Sequence, residues 1–205
     1  MARTVLGIAG SPRRQGNTET LLDWVLEAAQ ESGAEVVKIR LRQLNIRGCV
    51  ACEGCLDDGA CVQRDDMQEL YPHLREADSI VLAAPIFSMG MAAQAKAMVD
   101  RCQPFWAIKY VLRQRVVPEG RPERRGVYLA AAGTTFDDVF DGARQVVDYF
   151  FHVLEAKKIG ELLCPGVDAK GEILEYEGAR EVAADLGRRL ADEFPVEGKT
   201  GGSAG

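Results

Sequence analysis

The sequence predicts an α/β fold in which a doubly wound, five-stranded parallel sheet is covered by helices on both faces. Three observations predict it. Short β-branched or apolar runs alternate with longer stretches of helical period. The first such run ends in a small-residue turn with a helical pattern immediately behind it. At 205 residues and 47% hydrophobic, the chain can bury one core of this kind, and a second domain would be cramped. One domain is expected over residues 1–194, and the Gly-rich residues 195–205 are expected to form a disordered tail.

Residues 4–9 read as the first strand, and Leu21, Leu22, Val25, Leu26 and Ala29 recur at helical spacing after a turn that ends at Thr18. Residues 35–40 are the second strand. Residues 41–66 interrupt the alternation and carry four cysteines, and a helix is expected from near Asp66, bent or restarted at Pro72. Residues 79–84 are the third strand and 91–101 the helix behind it. Residues 103–125 read as a long connection whose Phe105, Trp106, Ile108, Tyr110 and Val111 favour a partner interface slightly over a cover for the core. Residues 126–132 are the fourth strand. Val139, Ala143, Val146, Val147, Phe150 and Leu154 then mark an amphipathic helix. Residues 158–164 are the fifth strand and 177–194 the closing helix.

Twenty-five basic against thirty-one acidic residues give a net charge of −6, which argues against nucleic acid as a partner. Arg113 to Arg125 is a local exception, interrupted by Glu119 and Glu123 and read as a solvated loop or subunit contact. The N-terminal apolar run is too short for a secretory leader and no segment reaches membrane-spanning length, so a cytoplasmic protein is expected. In that reducing compartment six cysteines are not a disulfide framework. Cys102 and Cys164, beside apolar residues, read as small buried hydrophobes. Neither His73 nor His152 is assigned to catalysis, and His152 is expected on a salt-bridged face with Asp148 and Glu155. No catalytic acid or base is assigned at all.

Cys49, Cys52, Cys55 and Cys61 form a C-x2-C-x2-C-x5-C run. Thiolates this close converge on a metal centre, a disulfide pair or nothing. A four-cysteine zinc site needs two knuckles separated by a longer loop, which is missing here. A C-x2-C-x2-C run wraps one corner of a four-iron cubane, and Cys61 is near enough to close the same cluster. The proline that follows the ferredoxin pattern is absent, so this is not a ferredoxin domain.

The first strand leads into Gly10-Ser11-Pro12-Arg13-Arg14-Gln15-Gly16-Asn17-Thr18. A strand, a small-residue loop and a helix N-terminus put backbone N–H groups around one anion, with short donors from Ser11, Asn17 and Thr18 and a guanidinium from Arg13; a merely capped turn over Ser11 to Thr18 is the alternative. The loop is neither a Walker A motif nor G-x-G-x-x-G. In a doubly wound sheet, ligands lie beyond the carboxyl ends of the strands at the switch point, here between the first and third. The segments Ala84-Pro85-Ile86-Phe87-Ser88-Met89-Gly90 and Gly133-Thr134-Thr135 reach the same edge and suit a flat ring, against which Phe87 or Met89 packs; ordinary strand-end packing is the alternative for both.

The loop Gly10-Ser11-Pro12-Arg13 through Gly16-Asn17-Thr18, the run Ala84-Pro85-Ile86-Phe87 and the helix ending Lys96-Ala97-Met98-Val99-Asp100-Arg101 resemble the NADPH-dependent FMN reductase branch of flavodoxin-like proteins. The cysteine run followed by Asp65-Asp66-Met67 narrows the resemblance to the iron-sulfur flavoproteins, over residues 4 to about 190. The resemblance implies a flavodoxin-like sheet of order 2-1-3-4-5 with a cysteine-bearing insertion after the second strand. It implies one FMN and one [4Fe-4S] cluster per subunit, in homodimers or homotetramers that bring one subunit's cluster near another's flavin. Ser11, Arg13, Gly16, Asn17 and Thr18 would hold the FMN phosphate. Pro85, Ile86, Phe87, Ser88, Met89 and Gly90, with Gly133, Thr134 and Thr135, would flank the ring. Cys49, Cys52, Cys55 and Cys61 would ligate the cluster. Phe87 stands where the family usually has Tyr. The implied function is electron transfer between a donor such as ferredoxin and an acceptor. The alternatives are a cluster-free NAD(P)H-dependent FMN or quinone reductase and a non-enzymatic redox or metal sensor.

Overall fold

The structure, a computed structural model, describes residues 2–192. The expected tail and the end of the closing helix at Phe194 lie outside the described residues. In chain order the elements are β1 (Thr4–Ala9), α1 (Asn17–Glu31), β2 (Glu35–Arg40), α2 (Met67–Glu76), β3 (Ser79–Ala83), β4 (Ile86–Phe87), β5 (Gly90–Met91), α3 (Ala93–Asp100), α4 (Gln103–Tyr110), β6 (Arg124–Ala132), α5 (Asp141–Val153), β7 (Ala156–Pro165) and α6 (Ala179–Ala191). The main sheet is wholly parallel with order β2-β1-β3-β6-β7, which is 2-1-3-4-5 when its own strands are counted.

β3 is buried along its whole length because it lies mid-sheet with helices on both faces, and its sequence Ser-Ile-Val-Leu-Ala has no polar alternation for that reason. On one face, Leu21, Leu22 and Val25 of α1 pack with Ala183, Leu186 and Leu190 of α6. On the other, Met67, Leu70 and Leu74 of α2 meet Met98 of α3, Phe105 and Ile108 of α4, and Val147 and Phe150 of α5. Arg124, at the start of β6, is 2% exposed. Its guanidinium donates to the carbonyls of Ala77 (2.8 Å), Leu154 (2.9 Å) and Leu74 (2.6 Å), tying down the C-terminal ends of α2 and α5. Among the described residues no helix is long and apolar enough to cross a membrane.

Four expectations are corrected. Of the two outcomes expected at Pro72, a bend or a restart, the restart does not occur, since α2 runs through the proline. Residues 86–91 form a tight antiparallel hairpin rather than a plain loop, and the following helix starts at Ala93. Residues 103–110 are helical. Pro104 sits at the first turn of α4, where its missing N–H has no partner to lose. The apolar excursion therefore mostly covers the core, with Phe105 and Ile108 buried, while Tyr110 and Val111 remain exposed. Finally, His152 meets the hydroxyl of Tyr110 through Nε2 and lies beside Tyr149, so its surroundings are aromatic rather than ionic.

Candidate functional site

Beyond the carboxyl ends of β1, β3 and β6 lies a shallow cleft of about 30 Å³. Ser11, Arg13, Gly16, Asn17, Thr18, Pro85, Ile86, Phe87 and Gly133 line it, so the phosphate loop and parts of both expected ring-flanking segments meet there. No side chain caps the start of α1, which leaves its first N–H groups for another acceptor. Thr18 is 2% exposed and its Oγ1 is buried without a hydrogen-bond partner. A buried hydroxyl left unpaired is costly, and a bound oxyanion would satisfy it. A Cβ at Gly16 would stand 3.0 Å from Ser11 Oγ, so a side chain there would fill the cradle. The residues fit a phosphate group.

Two expected donors have other duties. Both ends of the Asn17 amide are taken by the loop after β7: Nδ2 donates to Ala169 O (2.9 Å) and Oδ1 accepts from Gly171 N–H (2.9 Å). Arg13 reaches the same loop, donating through Nη1 to Asp168 O (2.6 Å). Val167 and Asp168 complete the cleft wall, and the sequence analysis missed them. A Cβ on Gly133 would lie 2.9 Å from Asp168 Cβ, so this wall closes directly onto the end of β6. The available signal was position alone, since Gly166-Val167-Asp168 follows the carboxyl end of the fifth strand, as every other wall segment follows its own.

Ser88, Met89, Gly90, Thr134 and Thr135 do not line the cleft. Ser88 and Met89 form the hairpin tip with φ of 50° and 63°. This left-handed pair is the geometry of a primed hairpin turn, usually given to Asn-Gly. It leaves Phe87, which lines the cleft, and Met89 at the hairpin tip substantially exposed. Behind the loop, Glu19 is 3% exposed; burial alone would raise its pKa, yet hydrogen bonds from Lys38, Arg40 and the Gln15 N–H bring it down to about 2. This cluster fastens the loop to the end of β2.

The second site is separate. Cys49, Cys52, Cys55 and Cys61 all line one cavity of about 440 Å³, roofed by Pro104 and Trp106 of α4. None of the six cysteines is in a disulfide. The run is folded by two non-glycine residues in left-handed conformation, Ala51 (φ 51°) and Glu53 (φ 60°), and by Gly59 (φ 74°), where a Cβ would drive into Ile108. Alternating backbone handedness of this sort turns successive N–H groups inward and makes concavities for anionic centres. Burial raises the Cys55 thiol above its ordinary range, and the facing Cys61, Cys49 and Cys52 add to it against a backbone hydrogen bond that lowers it. Four cysteine sulfurs on one cavity are a soft donor set that a cationic metal centre would suit. Among the described residues no three His, Cys, Asp or Glu are gathered so as to hold a metal ion. Cys102 and Cys164 are buried elsewhere, as small hydrophobes.

The ends of the cysteine loop are staked to the core. Asp65 accepts from the N–H groups of Arg47 (3.0 Å) and Met67 (3.1 Å), and Arg101 forks onto it at 2.6 and 3.1 Å. Burial opposes the charge on Asp65, but these bonds win and hold its carboxyl below the usual range.

A parallel sheet of this order, with an anion cradle after β1, defines the flavodoxin-like class of α/β proteins. Residues 3–157 match the family described as NADPH-dependent FMN reductase, and the chain belongs to that family, among its iron-sulfur flavoproteins. An iron-sulfur flavoprotein of Methanocaldococcus jannaschii is 30% identical over 191 residues, 92% of this chain and 86% of the relative. One from Archaeoglobus fulgidus is 42% identical over 100 residues, 49% of this chain and 46% of the relative, so there the match spans about half of each. Among solved structures, a flavone reductase superposes with a TM-score of 0.67 at 23% identity, covering 92% of this chain and 62% of the other. The NAD(P)H:quinone oxidoreductase of Methanothermobacter marburgensis superposes at 0.66 and 18% identity, covering 95% and 100%. These two likenesses show the fold.

Proposed function

We propose that the protein is an electron-transfer oxidoreductase that holds FMN in the cleft after β1 and a [4Fe-4S] cluster in the cysteine-lined cavity, passing electrons between a carrier protein such as ferredoxin and an acceptor. The observation that carries this reading is that all four cysteines of the run open on one cavity while Cys102 and Cys164 do not. When bound, a flavin exchanges one or two electrons and a four-iron cluster one, so the pair converts between the two currencies.

The chain's own part is to bind and orient. Thr18 Oγ1 and the uncapped N–H groups of α1 take the phosphate, with Ser11 and Gly16 shaping the cradle. Arg13 and Asn17 hold the loop after β7 as its outer wall. Phe87 and Met89 give the ring an apolar shelf and shed water from one side. The two binding regions share no lining residue, and the proposed assembly is a homo-oligomer in which cofactors of different subunits meet. The family relationship leaves direct use of NAD(P)H as the competing reading, in which activity persists without iron.

Replacing Thr18 with Val tests the flavin half. Loss of a hydroxyl bonded to phosphate weakens FMN by about 1–3 kcal/mol, or about 5- to 150-fold in Kd. Fluorescence titration of flavin-free protein measures it. The same protein should be no less stable to urea, because the substitution removes a buried hydroxyl that has no partner there. An unchanged Kd retires the assignment of Thr18.

A further inference from the structure

Arg101 is 1% exposed, and burying a guanidinium carries a desolvation penalty that an apolar side chain would not incur. Its two terminal nitrogens are satisfied. Nη1 reaches Asp65 Oδ2 (2.6 Å) and Arg47 O (2.9 Å), and Nη2 reaches Asp65 Oδ1 (3.1 Å). Its Nε is not: the atom is buried and has no hydrogen-bond partner. Arg101 also lines the same cavity as the four cysteines. The end-on fork through Nη1 and Nη2 leaves Nε off Asp65, so Arg101 keeps one unused donor while it lines the cavity of the four thiols. Asp65 is held by backbone N–H groups as well, so the guanidinium is fixed in orientation rather than free to turn away.

We infer that Arg101 is the buried hydrogen-bond donor and counter-cation of the cysteine-lined cavity, offering Nε–H to a sulfur of the bound centre while Asp65 fixes its plane and offsets part of its charge. The inference rests on the cluster reading above. Hydrogen bonds to cluster sulfurs and nearby net charge set the reduction potential. A donor and a positive charge favour the reduced, more negative state, so Arg101 raises the potential. Asp65, by offsetting that charge, lowers it.

The test is a redox titration followed by electron paramagnetic resonance on anaerobically purified Arg101→Lys and Asp65→Asn proteins, with iron per chain and thermal unfolding measured on each. Lysine keeps a charge but cannot place a donor at Nε. Arg101→Lys should shift the cluster's reduction equilibrium about tenfold towards the oxidised form, about 59 mV for one electron. Asp65→Asn should shift it the other way. A loosened loop would move both variants in the same direction. Wild-type iron content with both potentials unmoved, or with both displaced together, overturns the inference and leaves the cluster in place. Should Arg101→Lys lose its iron, the sign of the Asp65→Asn shift decides. Wild-type protein without iron overturns the cluster reading, and this inference with it.

Discussion

Replacing Cys55 with Ser yields protein that binds FMN normally and retains no intact cluster. Serine presents a hard, protonated oxygen where a soft thiolate is needed, and the remaining three thiolates cannot complete four iron sites. Flavin affinity is unaffected because the cleft after β1 and the cysteine cavity share no lining residue. Iron per chain should fall from about four to near zero, with the flavin absorption retained. Cys164→Ser is the control: that thiol is buried in the opposite helical layer, so iron should be kept even if the fold is weakened. Iron content unchanged by Cys55→Ser removes Cys55 from the ligand set.

Arg124→Met should be the most destabilising single change away from the two sites. Burial pulls this guanidinium down to about 10, still charged at neutral pH, with three carbonyls as its hydrogen-bond partners. Methionine fills much of the volume but leaves those carbonyls buried and unpaired at two helix ends. Each unsatisfied group costs about 1–3 kcal/mol, so the loss should reach about 3–5 kcal/mol after partial relaxation. In urea unfolding it reads as a lowered midpoint with an unchanged slope. A loss under about 1 kcal/mol would mean that water reaches those carbonyls and that Arg124 is not their essential partner.

The middle of the sheet was legible because a parallel strand buried on both faces reads as an uninterrupted apolar run, as β1 and β3 do, whereas the edge strands β2 and β7 carry charged residues and are only half-buried. The bounds of β1 and β2 follow from their runs directly. The hairpin at 86–91 was not legible, since Ser88-Met89 carries none of the Asn-Gly chemistry that usually marks a left-handed turn. Nor was α4, because Gln103-Pro104 reads as a break until the proline is seen in the first helical turn. At the cleft, local pattern identified the loop around Thr18, where strand, turn and helix are contiguous. It failed for the Asn17 amide, whose partners Ala169 and Gly171 come from the far end of the chain and are fixed only once β7 is beside β6. The cysteine spacing singled out the four thiols that line one cavity, whereas the Arg101–Asp65 fork behind them depends on how α3 ends against the loop.

Iron, acid-labile sulfide and flavin per chain, determined on anaerobically purified protein, test the central claim most directly. About four irons, four sulfides and one FMN are expected; one FMN with no iron would contradict the account and leave a plain flavin reductase.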